Sequence, residues 1–151
     1  MAGKIPSRRL TGGFAVGATM LLSAATMATA GDASGDPLAQ AVAKGASLFA
    51  HETFGGSGKT CETCHGGGGK VPGLLPNGRT LASLVNAAAI YPRFSRGAGQ
   101  VITLEGQIRQ CIQGGLAGAA PSAGSPDLVA LAAYLGSIGH GQAIEIGGAP
   151  K

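Results

Sequence analysis

From residue 36 onward, apolar positions recur at helical spacing, separated by glycine-rich breaks. Leu38, Val42, Gly45 and Phe49 share one stripe, the three-to-four spacing that puts side chains on one helix face. Asp36-Pro37 stands before it as an N-cap followed by a proline at the first helical position, so a helix is expected to start there. Gly31 to Gly35 reads as a flexible lead-in, and Phe54-Gly-Gly-Ser-Gly58 breaks the pattern. Pro72, Pro76, Asn77 and Gly78 mark a loop. Thr80 is expected to cap a helix carrying Leu81, Leu84, Val85 and Ala88, which must end before Pro92 because the residue preceding proline resists helical geometry. Thr103 caps a helix with Leu104, Ile108, Cys111 and Ile112 on one face and Gly114-Gly115 as its stop. Ser125-Pro126-Asp127 starts the last helix, whose stripe is Leu128, Leu131, Leu135 and Ile138 and whose stop is Gly139. Gly45 and Phe49 are expected to pack against Tyr134. No segment sustains a strand-like alternation, so the fold class predicted is all-α, four to five short helices joined by long glycine-rich loops.

The first thirty residues follow another pattern. Lys4, Arg8 and Arg9 precede a mostly apolar run from Phe14 to Met27, and Ala28-Thr29-Ala30 offers small residues for cleavage. This is the layout of a secretory signal peptide. Residues 1–30 are therefore expected to be a leader and 31–151 the mature domain, delivered to the periplasm. The alternative, an uncleaved anchor, is opposed by Gly17, Thr19, Ser23 and Thr26, which interrupt a run shorter than the ~20 residues a span needs. Ser7-Arg8-Arg9-Leu10 is an incomplete twin-arginine address. No stable membrane insertion is expected after cleavage.

Removing the leader changes the charge. The chain carries a formal +4, but Lys4, Arg8 and Arg9 leave and all seven acidic residues stay, so eight Lys and Arg face seven Asp and Glu, a net of +1. The electrostatic case for a nucleic-acid partner disappears with them. The chain has 28 Gly and only six Phe and Tyr, of which four Gly and one Phe lie in the leader, and so small a domain with so few large side chains needs a staple such as a cofactor.

Cys61, Cys64 and His65 supply the chemistry. In the order Cys-Glu-Thr-Cys-His they form the attachment signature of one covalent haem c. The cysteines at i and i+3 lie on one side of a helical turn and reach the two vinyl groups, and the adjacent imidazole points at the iron. A Cys61–Cys64 disulfide of thioredoxin type would need a βαβ context, and zinc a second ligand pair beside Cys111; neither is present in the sequence. The other ring nitrogen of His65 is expected to donate to a backbone carbonyl near Pro72.

The second axial ligand is open. All three methionines, Met1, Met20 and Met27, lie in the leader, which leaves Cys111, His51, His140, a Lys or Asn side chain, or an open site. Cys111 sits on the apolar face of its helix with Leu104 and Ile108, where it is an iron ligand, a buried structural thiol or half of an intermolecular disulfide. His51 and His140 fall on expected surfaces.

Four segments, Cys-Glu-Thr-Cys-His-Gly (61–66), Ile-Tyr-Pro-Arg-Phe (90–94), Thr-Leu-Glu-Gly-Gln-Ile-Arg-Gln-Cys (103–111) and Gly-Ser-Pro-Asp-Leu-Val-Ala-Leu-Ala-Ala-Tyr-Leu (124–135), give a chain that resembles a class I-like monohaem c-type cytochrome, in particular the haem domain of the SoxA subunit of the SoxAX cytochrome. The resemblance implies a small cytochrome c-like fold, Cys111 as axial ligand and as the reacting sulfur of an enzyme that joins thiosulfate to a carrier-protein cysteine, and a small cytochrome as partner. That family has an arginine four residues before the ligand cysteine; here it is Gln107, and Arg109 lies on the far side of the helix. A second family arginine aligns with Leu116. The resulting expectation is a carrier of single electrons with redox-protein partners, linked to sulfur-compound oxidation. The SoxA-like enzyme and a haem sensor with an open sixth site stand as alternatives.

Overall fold

The structure, a computed structural model, describes residues 35–151. The expected leader lies outside them. Five helices dominate: α1 Pro37–His51, α2 Cys61–Cys64, α3 Ala87–Ile90, α4 Leu104–Gly115 and α5 Pro126–Ile138. Three of the four caps read in the sequence are made. Asp36 Oδ1 accepts from Leu38 N at 2.9 Å, Thr103 Oγ1 from Gly106 N at 3.1 Å and Ser125 Oγ from Leu128 N at 3.4 Å, each supplying a partner to an N–H that the helix cannot.

Two small antiparallel sheets qualify the all-α expectation. β1 Gly73–Leu74 pairs with β2 Thr80–Leu81, and β3 Arg93–Ser95 pairs with β4 Gln100–Ile102. Strands of two or three residues are too short for alternation to show in sequence. Thr80 is therefore corrected from a helix cap to a strand residue. Leu75 N donates to Arg79 O and Gly78 N to Leu75 O, a turn that folds Thr80 back onto Leu74. Leu84 N is then drawn to Gly69 O, so a helix forms only at Ala87–Ile90.

The core lies among α1, α4 and α5. Phe49, Ile108, Ile112, Leu128, Leu131 and Leu135 are buried in one cluster, each such side chain contributing about 1.5–3 kcal/mol. α1 and α5 meet where the sequence predicts. A Cβ on Gly45 would fall against the Ala130 carbonyl and Tyr134 Cβ, so the helices approach backbone to backbone only because residue 45 lacks one. One turn on, the rings of Phe49 and Tyr134 stand 5.3 Å apart, tilted by 54°, within the favoured aromatic range.

Beyond Gly139 the chain returns to the middle of the molecule. Glu145 N donates to Ala89 O and Gly147 N to Ile90 O, both at 2.9 Å. Buried Asn86 uses both ends of its amide here, Nδ2 donating to Ala149 O (2.9 Å) and Oδ1 accepting from Lys151 N (3.3 Å). Ser83 Oγ donates to Lys151 O at 3.1 Å. Among the described residues, no helix is long and apolar enough to cross a membrane.

Candidate functional site

The motif at 61–65 is held as a short turn of helix with its loop fastened on both sides. His65 N donates to Cys61 O at 2.9 Å, and Thr63 Oγ1 accepts from Thr60 N at 3.0 Å. The Glu62 carboxylate accepts Gly68 N on both oxygens, at 3.1 and 3.0 Å. Tyr134 Oη donates to Gly68 O at 2.9 Å, tying the glycine loop to α5. Gly73 passes so close to the Cys64 carbonyl that a Cβ would overlap it. This explains a glycine at a position whose φ requires none.

Two connected hollows open beside the motif. The inner one, about 650 Å³ with the open space at its edge, is walled by core residues such as Phe49, Ile90, Leu104 and Leu131. The outer one, about 2100 Å³ with its solvent-facing mouth, adds Cys64, Arg79, Arg93 and Arg96. Cys61, His65, Tyr91, Gln107, Cys111 and Pro150 line both. Cys61, Cys64, His65 and Cys111 are thus brought together on one cleft. His51 and His140 are not: both are exposed and neither lines it. Asn86 borders the inner hollow, but its amide is engaged by the C-terminal segment.

All three cysteines are free thiols. Burial, then the nearness of Cys111, pushes the Cys61 thiol up to about 11. The Cys111 thiol is also pushed up, by burial first and in part by Cys64, against a hydrogen bond from Gln107 that pulls it down. Its side chain faces the cleft and touches solvent there, while protein closes around the rest. Burial holds His65 below the usual histidine range. Its Nδ1 is buried and without a hydrogen-bond partner among the described residues. The expected bond to a carbonyl near Pro72 is not made; the loop after Pro72 enters the β1–β2 hairpin, where Gly73 pairs with Leu81.

On α4, Gln107 Nε2 lies 3.3 Å from Cys111 Sγ, and Gln107 Oε1 accepts from Tyr91 Oη at 3.1 Å. Arg109 points away, as its helical position predicts, and donates through Nε to Pro121 O at 3.0 Å. Leu116 is buried in the core. Sequence reasoning missed Arg79, Arg93 and Arg96, which bring three cations to the outer hollow while no carboxylate lines it. Their direction depends on two hairpins that leave no periodic signal. The Ile-Tyr-Pro-Arg-Phe segment was the one hint.

These residues fit a haem. Two thiols one helical turn apart, an imidazole whose Nδ1 has no partner among the described residues, an apolar recess for a macrocycle and guanidinium groups at the mouth for its carboxylates form the set such a group needs. Comparison with known proteins agrees. The family model described as the SoxA/TsdA cytochrome c domain matches residues 44–144. Thiosulfate dehydrogenase from Allochromatium vinosum is 32% identical over 88 residues, covering 58% of this chain and 32% of that protein. Thiosulfate dehydrogenase TsdBA from Marichromatium purpuratum, in its as-isolated form, superposes with a TM-score of 0.58 at 24% identity, over 74% of this chain and 25% of its own; at that identity it speaks for the fold. The chain spans about a third of the first and a quarter of the second.

Proposed function

Because this chain belongs to the SoxA/TsdA cytochrome c domain family, we propose that it is an exported, periplasmic monohaem c-type cytochrome relaying single electrons in thiosulfate oxidation, with His65 and Cys111 as axial ligands. The observation that carries the reading is that the His65 imidazole and the Cys111 thiol line the same hollows as Cys61, in a sequence with no methionine after Met27. Held there, haem supplies a one-electron ferric–ferrous couple. The chain's own residues do the rest. Cys61 and Cys64 would tether the macrocycle, His65 would offer its imidazole, the inner hollow would exclude water, and Arg79, Arg93 and Arg96 would meet the carboxylates at the mouth. A thiolate from Cys111 would favour the ferric state and lower the reduction potential. The partner is a redox protein, in the simplest case a small cytochrome.

The ferric absorption spectrum tests this. A thiolate-to-iron band should be present in the wild type and absent from Cys111→Ala; its survival there refutes the assignment. The mass of the mature protein reports leader removal and the number of haems. Rapid carbon monoxide binding by the untreated ferrous protein would indicate an open sixth site instead.

A second reading has an observation in its favour. Arg79, Arg93 and Arg96 restore positive charge to a cleft in which Gln107 and Leu116 replace the arginines of SoxA, so Cys111 could serve as the reacting sulfur of a divergent thiosulfate-oxidising subunit. Thiosulfate-dependent electron release with a carrier protein, lost in Cys111→Ala, would establish it. A wild type inactive with every partner cytochrome leaves the carrier role.

A further inference from the structure

Gln107 stands one helical turn before Cys111 on α4, so the two side chains share a face. Its amide touches two groups: Nε2 is 3.3 Å from Cys111 Sγ and Oε1 receives the Tyr91 hydroxyl at 3.1 Å. From this chain of contacts we propose that Gln107, oriented by Tyr91, is a positioning residue that donates an N–H to the Cys111 sulfur and sets how strongly that sulfur donates to iron. The proposal rests on Cys111 being the second axial ligand.

The direction of the chain follows from its chemistry. An amide has a donor end and an acceptor end, exchanged by a half-turn about its last bond. A thiolate accepts and cannot donate, so Gln107 must present its NH2 group to the sulfur, which leaves its oxygen for Tyr91. The tyrosine hydroxyl donates to that oxygen and holds the amide against the half-turn. Tyr91 is itself confined, half-buried with the Arg93 guanidinium 5.9 Å from its ring centroid.

An N–H directed at a ligand sulfur draws electron density from it, so the sulfur supports ferric iron less strongly. The reduction potential rises relative to a bare thiolate, and the thiolate-to-iron transition moves to higher energy. An arginine at 107 would also donate an N–H but would add a full charge. Glutamine retains the donor and leaves the neighbourhood of the sulfur neutral, so this departure from the SoxA pattern exchanges a charged group for a tuning one.

The test uses the mature haem-bearing protein. In Gln107→Leu the thiolate band should move to longer wavelength, and the ferric-to-ferrous ratio at a fixed applied potential should rise about tenfold, which for one electron is 59 mV. Tyr91→Phe should move both readouts the same way by less. Gln107→Arg, which keeps a donor, should show neither the longer wavelength nor the lower potential. If Gln107→Leu keeps the wild-type band and potential while Cys111→Ala abolishes the band, the tuning role is overturned and the ligand assignment survives. If the band persists in Cys111→Ala, the ligand assignment fails instead. An unchanged Tyr91→Phe overturns the orienting role of Tyr91. Should Gln107→Leu not accumulate, Gln107→Met carries the same readouts.

Discussion

Replacing Gly45 with alanine sets two effects of opposite sign against each other. In the middle of α1, alanine should stabilise by about 1 kcal/mol, because glycine is the poorer helix former. The new methyl, however, would lie 2.6 Å from the Ala130 carbonyl carbon and 2.7 Å from Tyr134 Cβ. Neither atom is the end of a flexible side chain. α1 and α5 must therefore separate, which loosens the Phe49–Tyr134 contact and the hold of Tyr134 on Gly68. Overpacking of this kind costs about 1–3 kcal/mol, more where backbone has to move, so a net loss of about 2 kcal/mol is expected. For a domain of this size that lowers Tm by about 6–10 °C. Thermal unfolding of the haem-bearing protein followed by circular dichroism reads it directly. Gly136→Ala in α5 is the control, since nothing lies within 4 Å of its new methyl; it should stabilise by up to about 1 kcal/mol. A Gly45→Ala protein that melts at or above the wild-type temperature would refute the close approach.

Asn86→Ala should cost about 1–3 kcal/mol, because the Ala149 carbonyl and the Lys151 N–H lose a partner; a melting curve unchanged within error would contradict this. In Gly73→Ala the Cys64 carbonyl must move, so the haem absorbance per mole of purified protein should fall, and full loading would show that the loop tolerates a Cβ. Burial pushes both tyrosines up, Tyr91 and Tyr134, so their phenol titration should have its midpoint above pH 10. The unfolded chain ionises first, and stability should therefore decline as pH rises through 10. A midpoint at or below 10 would count against the burial of both rings.

The helices that sequence could reveal were those with caps and long stripes. α1, α4 and α5 each begin at a side-chain cap read from Asp36, Thr103 and Ser125, and the pairing of Gly45 and Phe49 with Tyr134 follows from their shared stripe. The segment from Pro72 to Ile102 was harder because its order comes from turns. Thr80 looks like a cap in front of Leu81 and Leu84, yet the turn at Leu75–Arg79 decides its fate. The same two hairpins aim Arg79, Arg93 and Arg96 at the cleft, so a cationic mouth could not be inferred from residues scattered over eighteen positions. Cys61, Cys64 and His65 could be singled out because their spacing is local, and the structure lines one cleft with them. The approach of Cys111 was inferred from helix phase, whereas the Tyr91–Gln107 link depends on a contact between distant segments.

The residues after Gly139 carry a consequence for the order of assembly. Pro150 walls both hollows, and the stretch that bears it is fastened by bonds reaching back 63, 65 and 68 residues. A polypeptide made from its N-terminus completes the Cys61–His65 turn long before that stretch exists. Until then the part of the wall that Pro150 supplies is missing. Once the stretch has docked, Pro150 stands in the wall beside Cys61 and His65, so the last residues to be made complete a cleft whose motif was made among the first.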